Sequence, residues 1–311
     1  MPLPIVPPRS ADRPFDVVGL GESSLDFVAV VSDTISPDAK LPLDRFEPMP
    51  GGQTATALVA CARLGHLARY VGALGRDEAG TTIERALTRE SVDVAAVWRD
   101  AVPSRVAVVL VDRATGKRTV LERRDARLTL RVDEIDPAVI TSGRVLMVDA
   151  VDVEASILAA RAARAAGVPT VVDVDSSGPR VHELLRLIDV LVVPRSFLEA
   201  AGPAESIGDA LRKLEAEFRP GIAIATLGPD GSLARFGDRE IHTPALAIEV
   251  VDTTGAGDAF RGGFVSAWLR AGDGLNIETL LRQANAVAGL NCRALGAQAA
   301  LPTPTELDGV L

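Results

Sequence analysis

Short unbroken apolar runs alternate with stretches whose apolar positions recur every three to four residues. The runs FDVVGLG (15–21), LDFVAVV (25–31), ARYVGALG (68–75), RVLMVDAV (144–151), PTVVDVD (169–175), DVLVVP (189–194) and GIAIATLG (221–228) predict buried strands. Helices are predicted over 54–64 with Gly65 as its stop, over 80–92, over 154–166 ending at Gly167, over 181–188, over 207–218, from about Ala256, and over roughly 277–293. Residues 105–122 differ: two β-rich runs flank the turn DRATGK, which predicts a hairpin. Together with FVAVV and the loop SDTISPDAKLPLDRF, it predicts a small sheet covering one edge. Alternation of strand and helix elsewhere predicts an α/β fold with a mostly parallel, doubly wound sheet and helices on both faces.

The length of 311 residues suits one such domain, large enough to need no disulfide or metal staple. The proline-rich opening, residues 1–14, reads as a loose tail without the apolar core of a signal peptide, and residues 15–311 as the domain. A formal net charge of −9 argues against nucleic-acid and anionic-membrane partners. Two cysteines, Cys61 and Cys292, sit in apolar helical runs and suit a reduced, cytoplasmic protein. No apolar run reaches membrane-spanning length, and the three histidines show no metal-ligand spacing.

The densest chemistry lies in DTTGAGD, residues 252–258. The glycines allow the backbone N–H groups of Gly255, Ala256 and Gly257 to converge, and a helix starting there adds partial positive charge. This predicts an anion hole suited to a phosphoryl group. No lysine follows the glycines, so a P-loop is excluded. A carboxylate beside an anion hole serves either to complement the helix N-terminus or, for Asp258, to take the proton of a hydroxyl attacking a phosphoryl group.

DTTGAGDAFRGGF closely resembles the C-terminal signature of the ribokinase-like (PfkB) carbohydrate kinases. GGQTATALVACARLG (51–65) is similar to that family's N-terminal signature, GALGRDEAG (72–80) to its G-x-x-G-x-D-x-x-G segment, and TLGPDG (226–231) to its nucleotide-side strand and turn. The resemblance spans nearly the whole chain. It implies a ribokinase-like fold with a small β-sheet lid, here about residues 27–48 and 104–124, through which family members often form homodimers. The activity it implies is transfer of the ATP γ-phosphoryl, with Mg2+, to a hydroxyl of a small sugar, usually a primary one.

Carried over by position, Asp258 matches the catalytic base and Gly255, Ala256 and Gly257 the anion hole. Asp26, Gly51, Gly52, Gln53 and Thr56 match the sugar side. Asp149, at the C-terminal end of a strand, could also reach substrate. Thr226, Gly228, Gly231 and Asn285 match the ATP side, although Asn285 reads equally as a solvated helix residue. Asp252, Thr254, Asn291, Ala294 and Gly296 match a monovalent-cation site of K+-activated members.

The chain also departs from the pattern. Many members carry N-x-x-E after a mid-sheet strand, where VVPRSFLEA places Arg195 and Leu198, with Glu199 one residue out. Ketohexokinase-like and sulfofructose-kinase-like branches share that lack, and ATGKRTVLERRDARL resembles the ketohexokinase lid. Thr56 stands where the family often has Asn. Arg123, Arg124 and Arg127 suit either an anionic sugar or a solvated lid edge. A nucleoside kinase and a silent sugar sensor are the rival readings. Aromatic residues make up only 4% of the chain and none lies in ATGKRTVLERRDARL (114–128), which leans toward a sugar. GLGESS (19–24) lacks the third glycine and the following helix of a dinucleotide fingerprint.

Overall fold

The computed structural model describes residues 6–8, 10–31, 37–38, 40–271 and 276–311. In chain order the elements are β1 (Phe15–Leu20), β2 (Ser24–Val31), β3 (Arg45–Gly51), α1 (Gln53–Arg63), β4 (Ala68–Gly75), α2 (Glu78–Arg89), β5 (Val92–Arg99), β6 (Val106–Asp112), β7 (Arg118–Arg123) and α3 (Pro137–Ile140). They continue with β8 (Gly143–Asp149), α4 (Val153–Ala165), β9 (Thr170–Asp173), α5 (Pro179–Leu185), β10 (Val190–Pro194), α6 (Arg195–Ala200) and α7 (Ile207–Phe218). The last are β11 (Ile222–Thr226), β12 (Ser232–Phe236), β13 (Arg239–Thr243), α8 (Ala256–Ala271), α9 (Ile277–Asn291) and α10 (Pro304–Asp308).

Nine strands form the main sheet in the order β13-β12-β11-β10-β9-β8-β1-β4-β5. Pairing is parallel from β11 to β5 and antiparallel at β11–β12 and β12–β13. Alternate strand residues feed the two faces: Val17 joins the core under α1, α8 and α9, whereas Val18 joins the core under α4, α5 and α7. The chain winds outward from β1 to β4 and β5, then returns to β8 and winds the other way. The order therefore reverses between β1 and β8, where doubly wound sheets open a crevice at their carboxyl edge.

A second sheet, β3-β2-β6-β7, covers that crevice. It forms the expected small β-sheet lid, to which β3, a strand that carries Pro48 and Pro50, is an addition not predicted as a strand. Prolines are tolerated there because β3 is an edge strand. Residues 32–36 and 39 of the expected lid segment lie outside the described residues. β5 and β13, also unpredicted, are the two edges of the main sheet. The segment read as a loose tail is held where described: Arg144 Nε donates to the Pro8 carbonyl at 2.6 Å and Arg13 Nη2 to the Ala166 carbonyl at 3.0 Å.

Two local devices place the site. Asp77 caps α2 by accepting from Gly80 N at 2.7 Å, and its other oxygen accepts from Ser104 N at 2.8 Å, which anchors the approach to β6. Helix α8 packs against α1 through Gly262, where an added Cβ would lie 2.5 Å from Ala60 Cβ and 2.6 Å from the Ala57 carbonyl. Gly262→Val is expected to lose about 1–3 kcal/mol by overpacking, read as a lower urea midpoint at unchanged slope.

Candidate active site

The crevice holds a cleft of about 400 Å3. Its floor comes from the β1–β2 turn and the start of α1, its roof from β6 and β7, and one end from the start of α8.

Asp26 lies on the inward face of β2 and is 6% exposed; its Oδ1 accepts from Ser24 Oγ at 2.7 Å. Burial raises its pKa, against the Ser24 hydrogen bond and the charge of Arg105. Gly51, paired with Ser24 at the end of β3, comes close to it: a Cβ there would stand 2.0 Å from Asp26 Oδ2. Gly52 and Gln53 also line the cleft, and Gln53 Nε2 reaches Asp175 Oδ2 at 3.3 Å. Thr56 does not line it. As the fourth residue of α1 it points into the core, fully buried, and its hydroxyl accepts from Gln298 Nε2 at 3.2 Å.

Asp149 is likewise corrected: it is fully buried beneath the floor. Its Oδ2 accepts from Glu22 N at 2.6 Å and Thr54 Oγ1 at 2.8 Å, and its Oδ1 from Val151 N at 3.1 Å. Three of its four lone-pair directions are thus taken up by the protein's own backbone and Thr54. What Asp149 positions instead is Glu22, which sequence reasoning missed. The Glu22 side chain is 8% exposed, lines the cleft and lies 2.8 Å from Arg105 Nε. Burial pushes its pKa up to about 8, opposed by the Arg105 charge.

At the α8 end, Asp252 is fully buried; its Oδ1 accepts from Thr254 N and Oγ1 at 2.8 and 2.7 Å, and its Oδ2 from Gly296 N at 2.8 Å. This folds the loop ahead of the helix. Gly255 has φ +73° and a Cβ would meet the Ala297 carbonyl at 2.7 Å, so only glycine fits. The N–H of Ala256 turns back to the Thr253 carbonyl at 3.2 Å. Those of Gly255 and Gly257 make no backbone hydrogen bond among the described residues and stay free for an anion at the helix start.

Asp258, in the first turn of α8, lines the same cleft with a side chain 16% exposed. Arg261 Nη2 holds its Oδ1 at 2.5 Å. Burial raises its pKa above the usual carboxylate range; the guanidinium charges of Arg118 and Arg105 oppose this, and Asp149 and Asp26 add to it. Arg118 Nη1 also binds the Thr253 carbonyl and hydroxyl at 3.2 and 3.1 Å, tying the lid to the anion loop.

Of the three lid arginines singled out in the sequence, only Arg124 lines the cleft, and it pairs with Asp152 Oδ1 at 2.7 Å. Arg127 is bound to Asp125 Oδ2 at 2.6 Å outside the cleft, and Arg123 is exposed at the end of β7. The cleft's other cations, Arg105 and Arg118, carry no motif. The inward face of β6 and β7 was their only signal.

Thr226 ends β11 on the same carboxyl edge, and Gly228 and Gly231 frame the turn to β12, where Leu227 N bonds the Gly231 carbonyl at 2.8 Å. Asn285 is 6% exposed, so it is not a solvated helix residue; its Nδ2 donates to Ser232 Oγ at 3.0 Å and the Thr243 carbonyl at 3.1 Å. Thr254 and Asn291 meet where Asn291 Nδ2 donates to the Thr254 carbonyl at 3.2 Å, with Ala294 and Gly296 on the loop that follows. Asn291 Oδ1 is buried without a hydrogen-bond partner. Arg195 starts α6 and pairs with Asp230 Oδ2 at 2.6 Å, Leu198 is buried, and Glu199 is exposed.

Known proteins are similar to this chain over most of its length. An aminoimidazole riboside kinase of Salmonella typhimurium is 30% identical over 283 residues, 84% of this chain and 88% of that protein. A fructokinase of Klebsiella pneumoniae is 30% identical over 281 residues, 83% and 91% of the two chains. Among solved structures, ribokinase of Thermotoga maritima superposes with a TM-score of 0.81 at 22% identity, covering 95% of this chain and 99% of that one. Aminoimidazole riboside kinase of Salmonella enterica, complexed with aminoimidazole riboside and an ATP analog, gives 0.76 at 26%, covering 95% and 99%. The pfkB family carbohydrate kinase pattern matches residues 15–304, which takes in the lid, the cleft and both of its ends. The chain belongs to the pfkB family of carbohydrate kinases, phosphotransferases with an alcohol group as acceptor.

Proposed function

We propose that this kinase transfers the γ-phosphoryl of ATP to a primary hydroxyl of a small sugar or ketose bound between Asp26 and Asp258. The observation that carries this is the pairing, in one cleft, of a largely buried carboxylate at a helix N-terminus with a second carboxylate set among glycines. Asp26 accepts hydrogen bonds from sugar hydroxyls, and Gly51, Gly52 and Gln53 press against the ring. Asp258 takes the proton of the acceptor hydroxyl as its oxygen bonds to the γ-phosphorus. The bond from that phosphorus to the β–γ bridging oxygen breaks, and ADP leaves with the electron pair. The N–H groups of Gly255 and Gly257 and the start of α8 hold the charge on the transferring group. The Ala256 N–H, engaged by Thr253, serves the loop instead.

The adenosine end of ATP lies along the Thr226–Gly231 turn, with Asn285 bracing β12 and β13 beside it. Mg2+, when bound, neutralises the phosphates. Among the described residues no three acidic, histidine or cysteine side chains converge, which fits a cation carried on the phosphates and waters. For K+, the orphaned Asn291 Oδ1 and the carbonyls of Asp252, Ala294 and Gly296 supply hard oxygen donors. The Thr254 carbonyl is already shared with Asn291. A nucleoside acceptor is the second reading, favoured by the riboside kinase relative; against it, no aromatic ring among the described residues lines the cleft to stack a base.

The outer face of the lid supports a homodimer. Pro48, Phe27, Val108 and Leu121 form one row across its four strands, and Phe27 stacks on Phe46 at 5.8 Å. Phe46 and Leu121 are 54% and 56% exposed, an apolar face that a second copy would cover. No helix among the described residues is long and apolar enough to cross a membrane, and the net charge of −9 disfavours anionic surfaces, in keeping with a cytoplasmic enzyme.

ADP release with Mg-ATP, measured against ketoses, aldoses, sugar acids and nucleosides with and without K+, tests the reading. A sugar acceptor is expected; turnover with nucleosides alone would replace it. Asp258→Asn is expected to lose ~10²–10⁴ in kcat at near-normal ATP affinity, and wild-type turnover would remove it as base. Leu121→Glu is expected to shift a dimer to monomer in light scattering, and an unchanged mass would place the contact elsewhere.

A further inference from the structure

Arg261 has no part in the mechanism above, yet it is one of the most buried charges in the molecule. Its side chain is 5% exposed and sits one turn along α8 from Asp258. One arm of its guanidinium, Nη2, donates to Asp258 Oδ1 at 2.5 Å; the other, Nη1, pairs with Asp173 Oδ2. Asp173 closes β9 and is 14% exposed, and two residues on, Asp175 and Ser176 line the cleft. A buried guanidinium is costly unless each of its arms is paired, and the fork shape suits two carboxylates held at fixed positions.

We infer that Arg261 is a positioning residue: clamped between Asp173 and Asp258, it fixes Oδ1 of the base and leaves Oδ2 to meet the acceptor hydroxyl. The inference rests on Asp258 being the base. Four other charged groups act on that carboxylate: Arg118 and Arg105 from the lid favour its ionised form, while Asp26 and Asp149 disfavour it. Among the described residues Arg261 is the charged group hydrogen-bonded to it, and Asp173 shares the Arg261 charge from the far side.

The two partners should therefore move the base in opposite directions. Removing the guanidinium leaves Asp258 desolvated with no contact cation, so its protonation rises to higher pH. Neutralising Asp173 leaves the whole Arg261 charge to Asp258 and moves its protonation to lower pH. A role in packing alone moves neither.

The test compares kcat, KM for ATP and the acid limb of kcat/KM in wild type, Arg261→Gln, Arg261→Lys and Asp173→Asn, using the best acceptor from the panel above. Arg261→Gln is expected to lower kcat roughly 10–100-fold with ATP KM within about threefold, and to raise the acid limb by about one pH unit or more. Arg261→Lys should restore part of both, and Asp173→Asn should lower the limb. A folded Arg261→Gln with wild-type kcat and limb overturns the inference. Should that variant fail to fold, Asp173→Asn decides: a limb unchanged or raised overturns it. If Asp258→Asn is inactive while the Arg261 variants behave as wild type, only the clamp fails. If Asp258→Asn is fully active there is no base to position, and the inference falls with that reading.

Discussion

A carboxylate that never meets solvent holds the site in register. Asp149, at the end of β8, accepts from the backbone of Glu22 after β1, from the hydroxyl of Thr54 in α1, and from Val151 ahead of α4. Those are the four pieces that meet where the strand order reverses. Backbone N–H groups at a strand end have lost their ladder partners, and a buried one without an acceptor costs about 1–3 kcal/mol. One ion satisfies two of them and a hydroxyl. The turn that carries Glu22, Ser24 and Asp26 is thereby fixed against the helix that carries Gln53.

Above that floor the cleft is an arrangement of opposed charges in a poorly solvated space. Glu22, Asp26 and Asp258 all feel burial first, and Arg105 is the counter-charge common to the three. Arg105 comes from the lid approach, which Asp77 anchors through Ser104. The glycine-rich segment around Asp77 therefore works at a distance: it sets the height of the cation that balances three carboxylates. Arg118, on β7 at the other end, is a counter-charge to Asp258 and grips the loop leading into α8.

What could be read from sequence follows the range of the interactions. Asp258 and the glycines before it stand within one turn of chain, and their chemistry is local, so the motif carries its own explanation. The doubly wound, mostly parallel sheet was legible because strand and helix alternate along the chain, whereas its strand order rests on pairings between distant segments. Arg105, Glu22 and Arg261 were not legible, since each matters through a partner 83 to 127 positions away or through burial that no short string encodes. Asp149 and Thr56 show the converse. Both occupy positions where a polar side chain suggests contact with substrate, and both are used by the protein's own interior. The lid arginines 123 and 127 fail for a third reason, because a strand end and a tight turn turn them away from the cleft.

The lid gives the period of a β-strand a double consequence. Asp26 and Phe27 are adjacent in sequence but stand on opposite faces of β2, as do Val120 and Leu121 on β7. The inward set lines the cleft; the outward set builds the apolar row that we propose pairs with a second copy. A one-residue slip in this sheet would exchange the two faces, placing Phe27 in the cleft and Asp26 on the outside. Register between β2, β3 and β6 is thus a requirement of the chemistry as well as of assembly. The close approach of Gly51 to Asp26 enforces it, since a side chain there would displace the carboxylate. An edge strand interrupted by two prolines is then no defect: β3 has only to hold its last residue against Asp26, and its outer edge remains unsuited to further strand addition.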